Sequence, residues 1–433
     1  MNHFGQLFRV SIFGESHGQV VGLTLDGVPA GMPIAIGDFA ADMERRKGGL
    51  QKGTTPRKEE DAPIFLSGVF EGRTTGAPLT IVFENKNTRS TDYAKQRDVP
   101  RPGHADWTAH FKFGGFEDFR GGGHFSGRLT ACLVAAGVVA KRLLKGVHIA
   151  AETVEIGGEP NTEAGLQKAI DAKDSVGGIV SCTVSGLPAG LGEPFWDSVE
   201  SLLSHAVFAI PAVRGVEFGT GFAAASMFGS EHNDALTALD GKTLTNHAGG
   251  VVGGITNGNQ LVLRIAIKPT SSTPKEQHTL NWETGELVPF SVKGRHDLCI
   301  ALRVPPVLEA VVAIVLADLM MRAGKIDRIW REPIYHVVRK DLWRLVSGQE
   351  FFHPDSLAAE GFVHCSEAHQ LPGVLERFFA GENNLLALEI DSAAVQSQLK
   401  YESSEIHGEK FPHLFGPIPL SALVAVHELP LPA

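Results

Sequence analysis

Short runs of branched apolar residues, closed by glycine or proline, punctuate the first three quarters of the chain. "LTLDGVP", "PLTIVF", "IVSCTVSGLP" and "QLVLRIAIKP" have the length and composition of strands. Two apolar stretches exceed strand length. "FSGRLTACLVAAGVVAKRLL" and "VLEAVVAIVLADLMMRAG" predict buried helices, the second ending at Gly324. Strands alternating with buried helices predict an α/β layered fold, β-α-β and sandwich-like, over residues 1–325. At "GKIDRIWREP" the pattern breaks: the long helix stops, a charged connector over 326–332 follows, and "IYHVVRKDLWRLV" opens a new strand and helix. The segment 333–433 is expected to be a small α+β domain.

Composition leaves this picture intact and narrows the class. At 433 residues, 43% hydrophobic and 20% charged, each domain can bury a core. No apolar run is expected to reach the roughly 18–20 residues of a membrane span, and "MNHFGQLFRV" lacks a signal-peptide pattern. A cytoplasmic protein is expected. Cys132, Cys182, Cys299 and Cys365 show no zinc-ribbon or redox spacing and read as reduced thiols. The formal charge of -10 is uneven: from Glu332 onward there are 6 basic and 14 acidic residues, against 33 and 35 before it. A generally basic nucleic-acid-binding surface is thereby disfavoured.

Several polar stretches are not explained by packing. "GESHG" sets Ser16 and His17 between glycines after an apolar run, where a ligand can approach the backbone closely. Neighbours in an extended chain point to opposite sides, so Ser16 and His17 do not read as a nucleophile and its base. "MERRKGG" carries Arg45 and Arg46, "RPGHADWT" carries Arg101 and His104, and "RGGGHFSGRLT" runs three glycines into a helix start bearing Ser126 and Arg128. "IKPTSST" places Lys268 before a run of hydroxyl residues that includes Thr270, Ser271 and Ser272, and "GRHD" joins a cation, an imidazole and a carboxylate. Each alone reads as a solvated helix face, a capped turn or a local ion pair. Five cationic loops in one near-neutral domain point instead to a multiply anionic small molecule bearing phosphate and carboxylate groups.

Together, GESHG, "RPGHAD", "NHAGGVVGGITNG", KPTSS and GRHD resemble the chorismate synthase family over residues 1–325, as do "TTPRKEEDAPIFLSGVFEGRTTGAPL" and "GLPAGLGEP" between them. The resemblance implies a lyase of the shikimate pathway that eliminates phosphate and a ring C6 hydrogen from 5-enolpyruvylshikimate 3-phosphate, giving chorismate, with reduced FMN required and no net redox change. It implies His17 as the acid beside the departing phosphate, His104 as a second catalytic histidine beside the flavin, and Asp297 as the base relaying the C6 proton through the flavin. Arg45, Arg46, Arg101, Ser126, Arg128 and Arg295 would bind substrate. His124, Phe125, Ser126, Pro211, Ala212, Gly253, Lys268, Pro269, Thr270, Ser271, Ser272 and Arg295 would hold the flavin. Arg46 and Lys52 would lie near NADPH, if it acts as an external reductant. A homotetramer is implied as well.

Two stretches depart from the family text. His124-Phe125-Ser126-Gly127-Arg128-Leu129-Thr130 stands where many members read Arg-Ser-Ser-Ala-Arg-Glu-Thr, and Lys47-Gly48 replaces a further arginine and a proline. Two other readings compete. The flavin loops could serve a net NADPH oxidoreductase, distinguished by stoichiometric NADPH oxidation, or the domain could be an inactive regulatory homologue, distinguished by absent flavin binding.

The tail, from about Pro333, resembles a domain of unknown function, number 952, through "IYHVVRKDLW", "PDSLAAEGFVHCS", "FFAGENNLLALEID" and "FPHLFGP". It holds 7 of the 18 histidines. No metal site is expected, since no tail histidines have helical zinc spacing. His336, His364 and His413 read as core histidines, with a small-molecule pocket of His336, His364 and Ser366 as the alternative.

Overall fold

The computed structural model describes residues 2–49, 51–55, 60–86, 97–292, 296–403 and 409–429. The chain divides into two compact units, residues 1–328 and 329–433. In the first, an antiparallel five-stranded sheet is built from β1 (His3–Phe4), β2 (Arg9–Gly14), β3 (Val20–Asp26), β4 (Ile64–Ser67) and β5 (Leu79–Glu84), in the order β1-β2-β3-β5-β4. Its core face carries Val21, Leu23 and Leu25 from β3 and Leu79, Ile81 and Phe83 from β5, the period-two spacing a half-buried strand requires. A second antiparallel sheet comprises β6 (His148–Ile156), β7 (Gly178–Ser185), β8 (Val213–Phe218) and β9 (Leu261–Ile267), ordered β8-β9-β7-β6. Val180, Cys182 and Val184 alternate inward on β7, and Leu261, Leu263, Ile265 and Ile267 do so on β9.

Helices fill the space between the two sheets. Around them lie α1 (Ala40–Arg46), α2 (Asp106–Phe113), α4 (Thr162–Ala172) and α5 (Val199–Val207). The central pair is α3 (Thr130–Leu143), which packs on the first sheet, and α6 (Pro305–Arg322), which packs on the second. The two helices pack on one another at Gly137, where an added Cβ would stand 2.2 Å from the Cβ of Ala310. Only a residue without a side chain permits that approach. The layers are therefore those expected, with the first predicted helix shorter than its apolar text because residues 120–129 form a glycine loop and a 3₁₀ turn.

Nearly every side chain of α6 is buried, in keeping with an apolar helix that has no solvent face. Its two acids are exceptions to that composition, and both are fully engaged. Glu309 receives Arg45 in a bidentate pair at 2.7 and 2.8 Å, Lys141 Nζ at 2.8 Å and the Ala151 backbone N–H at 3.0 Å. Asp318 Oδ1 accepts the backbone N–H groups of Gln6, Leu7 and Phe8 at 2.9, 2.7 and 2.9 Å, binding the start of the chain to the last helix of the unit. One segment bears on the expectation about apolar runs: among the described residues, Arg120–Leu143, α3 with the turns before it, is long and apolar enough to cross a membrane by length and composition, and 61% of its most apolar 18 residues are buried inside the protein. All four cysteines are buried and free.

The second unit has a three-stranded antiparallel sheet of Ile334–Arg339, Leu385–Ile390 and Leu423–Glu428, with the middle strand of the three drawn from Leu385–Ile390. A second three-stranded sheet centres on Lys410–Leu414. Its own core gathers Ile334, Val338, Phe352, Val363, Leu388 and Leu414.

Candidate active site

A cavity of about 940 Å³ opens in the first unit where the turn after β2, the end of α1, the glycine loop 120–125, the loop after β9 and residues 296–303 converge. Leu129, Leu133, Val307, Val311 and Ile314 give it an apolar wall from α3, its preceding turn and α6. The polar lining faces that wall. Ser16, His17, Arg46, Arg101, His104, His124, Phe125, Ser126, Arg128, Pro211, Ala212, Lys268, Pro269, Thr270, Ser271, Ser272 and Asp297 all line this one space.

Both histidines rest on the same three glycines. Gly121, Gly122 and Gly123 have φ of 63°, 88° and 53°, a left-handed path that side chains rarely take. A Cβ on Gly121 would lie 2.5 Å from His17 Cδ2, and one on Gly122 would lie 3.1 Å from His104 Cε1. The glycine loop is thus a floor shaped to two imidazole rings. It is tied to the first sheet where the Ser16 N–H donates to Gly123 O at 3.0 Å and His124 Nδ1 donates to Gly14 O at 2.8 Å. His124, expected at the flavin, lines the cavity and also supports this turn. Ser126 caps the 3₁₀ turn before α3 by accepting from the Arg128 N–H at 3.2 Å.

The cations form two groups. Arg46 and Arg128 are both buried and share one carboxylate, Asp61, which pairs with Arg46 Nη2 and Arg128 Nη1. Burial alone would raise the Asp61 carboxyl, but the two guanidinium groups hold it below the usual carboxylate range. Asp61 sits at φ 52°, unusual for a residue with a side chain. The Nε of Arg46 is buried with no hydrogen-bond partner among the described residues, so the cavity wall holds a donor in want of an acceptor. Across the cavity, Lys268 Nζ donates to Gly103 O at 2.8 Å and to Ser271 Oγ at 2.9 Å, and burial, followed by the charge of Arg214, lowers its pKa.

Asp297 is held at both oxygens, by Arg303 Nη1 at 2.9 Å and the Thr55 N–H at 2.8 Å. Its neighbour His296 lines the same space. Burial and then the Arg101 charge push that imidazole down, with Asp297 acting in opposition. Not every expected residue is gathered here. Arg45 points to Glu309, Lys52 donates to Gln167 Oε1 at 2.9 Å, and both line a neighbouring cavity. Gly253 sits at the tip of the hairpin joining Val251–Val252 to Ile255–Thr256 and does not line the cavity. Arg295 lies outside the described residues.

Sequence reasoning missed Asp61, Asp106 and Arg303. Asp106 was legible in principle, two residues after His104 in RPGHAD. Asp61 pairs with Arg46 and Arg128 across 15 and 67 residues, and Arg303, at the end of a 3₁₀ turn, pairs with Asp297 six residues earlier, and no local pattern marks them.

In the second unit His336 Nδ1 donates to the carbonyl oxygen of His364 at 2.8 Å, and burial pushes its imidazole down to about 4. His364 pairs with Glu360 at 3.0 Å and His413 with Glu402 at 2.8 Å, while Phe362 stacks on His413 with ring centroids 4.1 Å apart. Ser366 is buried, and its backbone pairs with that of Tyr335. Among the described residues no group of three or more metal-ligating side chains is present.

Comparison with known proteins agrees with this layout. Residues 8–321 match the family model of chorismate synthase, and residues 337–426 match that of DUF952, a protein family of unknown function. A chorismate synthase of Chitinophaga pinensis is 67% identical over 332 residues, covering 76% of this chain and 100% of that protein. A chorismate synthase of Methanocaldococcus jannaschii is 42% identical over 368 residues, covering 75% of this chain and 97% of that protein. A crystal structure of chorismate synthase superposes with a TM-score of 0.57 at 25% identity, covering 74% of this chain and 93% of that one. The chain belongs to the chorismate synthase family, lyases of the shikimate pathway, and carries a DUF952 domain of unknown function after its catalytic unit.

Proposed function

We propose that the 940 Å³ cavity binds 5-enolpyruvylshikimate 3-phosphate beside reduced FMN and that its side chains carry the elimination. One observation carries the reading: two histidines, a carboxylate and two groups of cations, drawn from distant parts of the chain, face a single space. The volume stands at the upper end of the ~300–1,000 Å³ range of ligand pockets, which leaves room for two molecules. The flavin fits the residues present. Lys268, Thr270, Ser271 and Ser272 offer its phosphate a cation and hydroxyls, while Leu129, Val307 and Val311 offer its ring an apolar wall. When bound, reduced flavin supplies electron density to a reaction whose net redox change is zero.

The substrate's phosphate and carboxylates would be met by Arg46, Arg101 and Arg128, the unpartnered Nε of Arg46 supplying a donor already free of water. His17 donates a proton to the phosphate oxygen as the C–O bond breaks, and Asp297 accepts the proton lost from C6. Held by Arg303 and Thr55, the Asp297 carboxylate keeps lone pairs free for that proton. His104 presents its imidazole on the flavin side.

Substrate added with chemically reduced FMN should release chorismate and phosphate in equal amounts. Stoichiometric NADPH oxidation, or no turnover with flavin bound, would count against this reading. The homotetramer implied by family resemblance has physical support in the exposed Phe195, Trp196, Phe222 and Phe228, which sedimentation would test.

A further inference from the structure

We propose that Asp106 is a positioning residue that fixes the tautomer and orientation of His104. This rests on the reading of His104 as a residue of the reaction. Asp106 is the first residue of α2, and its side chain is mostly buried. Its Oδ1 lies 2.6 Å from His104 Nδ1. The same carboxylate is gripped by Arg101, whose Nη2 reaches Oδ1 at 2.7 Å and whose Nε and backbone N–H reach Oδ2 at 2.8 and 3.0 Å.

Burial by itself would raise the Asp106 carboxyl, but the hydrogen bonds from Arg101 and His104 hold it well below the usual carboxylate range. It is therefore ionised and can only accept. The proton in the 2.6 Å contact then belongs to Nδ1. Arg101 Nη2, 3.1 Å from the same nitrogen, could donate to a bare Nδ1, but that tautomer would set the Nδ1 lone pair against the carboxylate oxygen at 2.6 Å. With Nδ1 committed, Nε2 is the nitrogen left to exchange a proton, and it lies on the ring edge that rests over Gly122. Three bonds from Arg101 keep the carboxylate from rotating, so the ring plane is set as well as the tautomer.

A carboxylate that merely anchored Arg101 would leave the imidazole tautomer unconstrained. The two roles differ in a signal that needs neither flavin nor substrate. The full-length protein, labelled with ¹⁵N-histidine and without flavin, should show neutral His104 with its proton on Nδ1. Asp106→Asn keeps the side-chain shape and offers an amide donor to Nδ1, so His104 should move towards the Nε2–H form. Turnover of the flavin-loaded variant should fall about 10²–10⁴-fold, the scale of a misplaced histidine tautomer, with KM changing less than kcat. A wild-type His104 protonated on Nε2, or identical His104 signals in both proteins, would overturn the proposal. Should His104→Ala turn over at the wild-type rate, the catalytic reading of His104 fails, and the nitrogen signals alone still decide whether Asp106 positions it.

Discussion

A methyl group is the smallest probe of how tightly the two histidines are held. At Gly121 it would have to occupy space 2.5 Å from a His17 ring carbon, on a backbone with φ 63°. Gly121→Ala should therefore displace His17 and lower kcat by about 10²-fold or more, in the range a misplaced acid produces, while flavin titration stays near wild type. Weakened flavin binding with normal single-turnover chemistry would show that the loop serves the cofactor instead. At the other end of the proposed proton path, Asp297→Asn preserves the carboxylate's shape and its bond from Arg303 but takes up no proton. Single-turnover kinetics should slow while flavin affinity holds, and a variant with the full single-turnover rate would remove Asp297 from the chemistry. The place of the glycines and histidines in the cavity was legible because close approach of a ligand restricts the residue type and because their motifs resemble those of the family. Asp61 and Arg303 were not, because their significance lies in partners supplied by tertiary structure. Arg45 shows the converse: its place in an arginine run resembled a ligand contact, yet a buried acid 264 residues away claims it.

Among the elements, α6 illustrates what apolar periodicity conveys and what it omits. Its length and burial follow from composition, whereas Glu309 and Asp318 look out of place until their partners are known. Burial works against ionised Glu309, but Arg45 and Lys141 keep its pKa below the ordinary value. Its contribution to stability is present above the unfolded carboxylate pKa of roughly 4.3 and is lost as pH falls through the lower folded value. Glu309→Gln should be less stable than wild type by about 2 kcal/mol at pH 7, less than a fully buried pair costs, because Arg45 and Lys141 can reach water. The gap should close in acid. Denaturant titrations at pH 7 and pH 3 measure it, and an equal gap at both would mean that the charge is immaterial. Four strands, two in each sheet, were readable as short branched apolar runs closed by glycine or proline, but pairing order was not, since such a run states that a strand is buried and leaves its neighbour unspecified.

At the scale of the whole molecule, the residues lining the cavity all precede residue 315, and the second unit has its own core. A chain ending at Arg328 should fold and form chorismate with reduced FMN, and residues 329–433 should melt cooperatively alone. An insoluble first piece rescued by adding the second would show one structural unit. The isolated second piece should also lose stability in acid, because His336 stays neutral down to about 4 when folded but takes a proton near pH 6.5 when unfolded. Melting temperatures should fall between pH 6.5 and 4, less so in His336→Asn. The division between units was visible as a change in charge and apolar pattern, whereas the meaning of the tail's histidines was hidden in cross-strand contacts. Asp318 carries a further consequence, for the order of events during synthesis. The backbone amides of Gln6 to Phe8 wait for an acceptor translated 310 or more residues later, so the first sheet cannot be sealed to the central helix until that helix has emerged. At ~5–20 residues per second, translating the 105 residues from Ile329 to Ala433 takes on the order of 5–20 s. The fused domain thereby gives the most apolar helix time to dock before release, and a shortened chain of equal melting temperature should still yield less soluble protein in the cell.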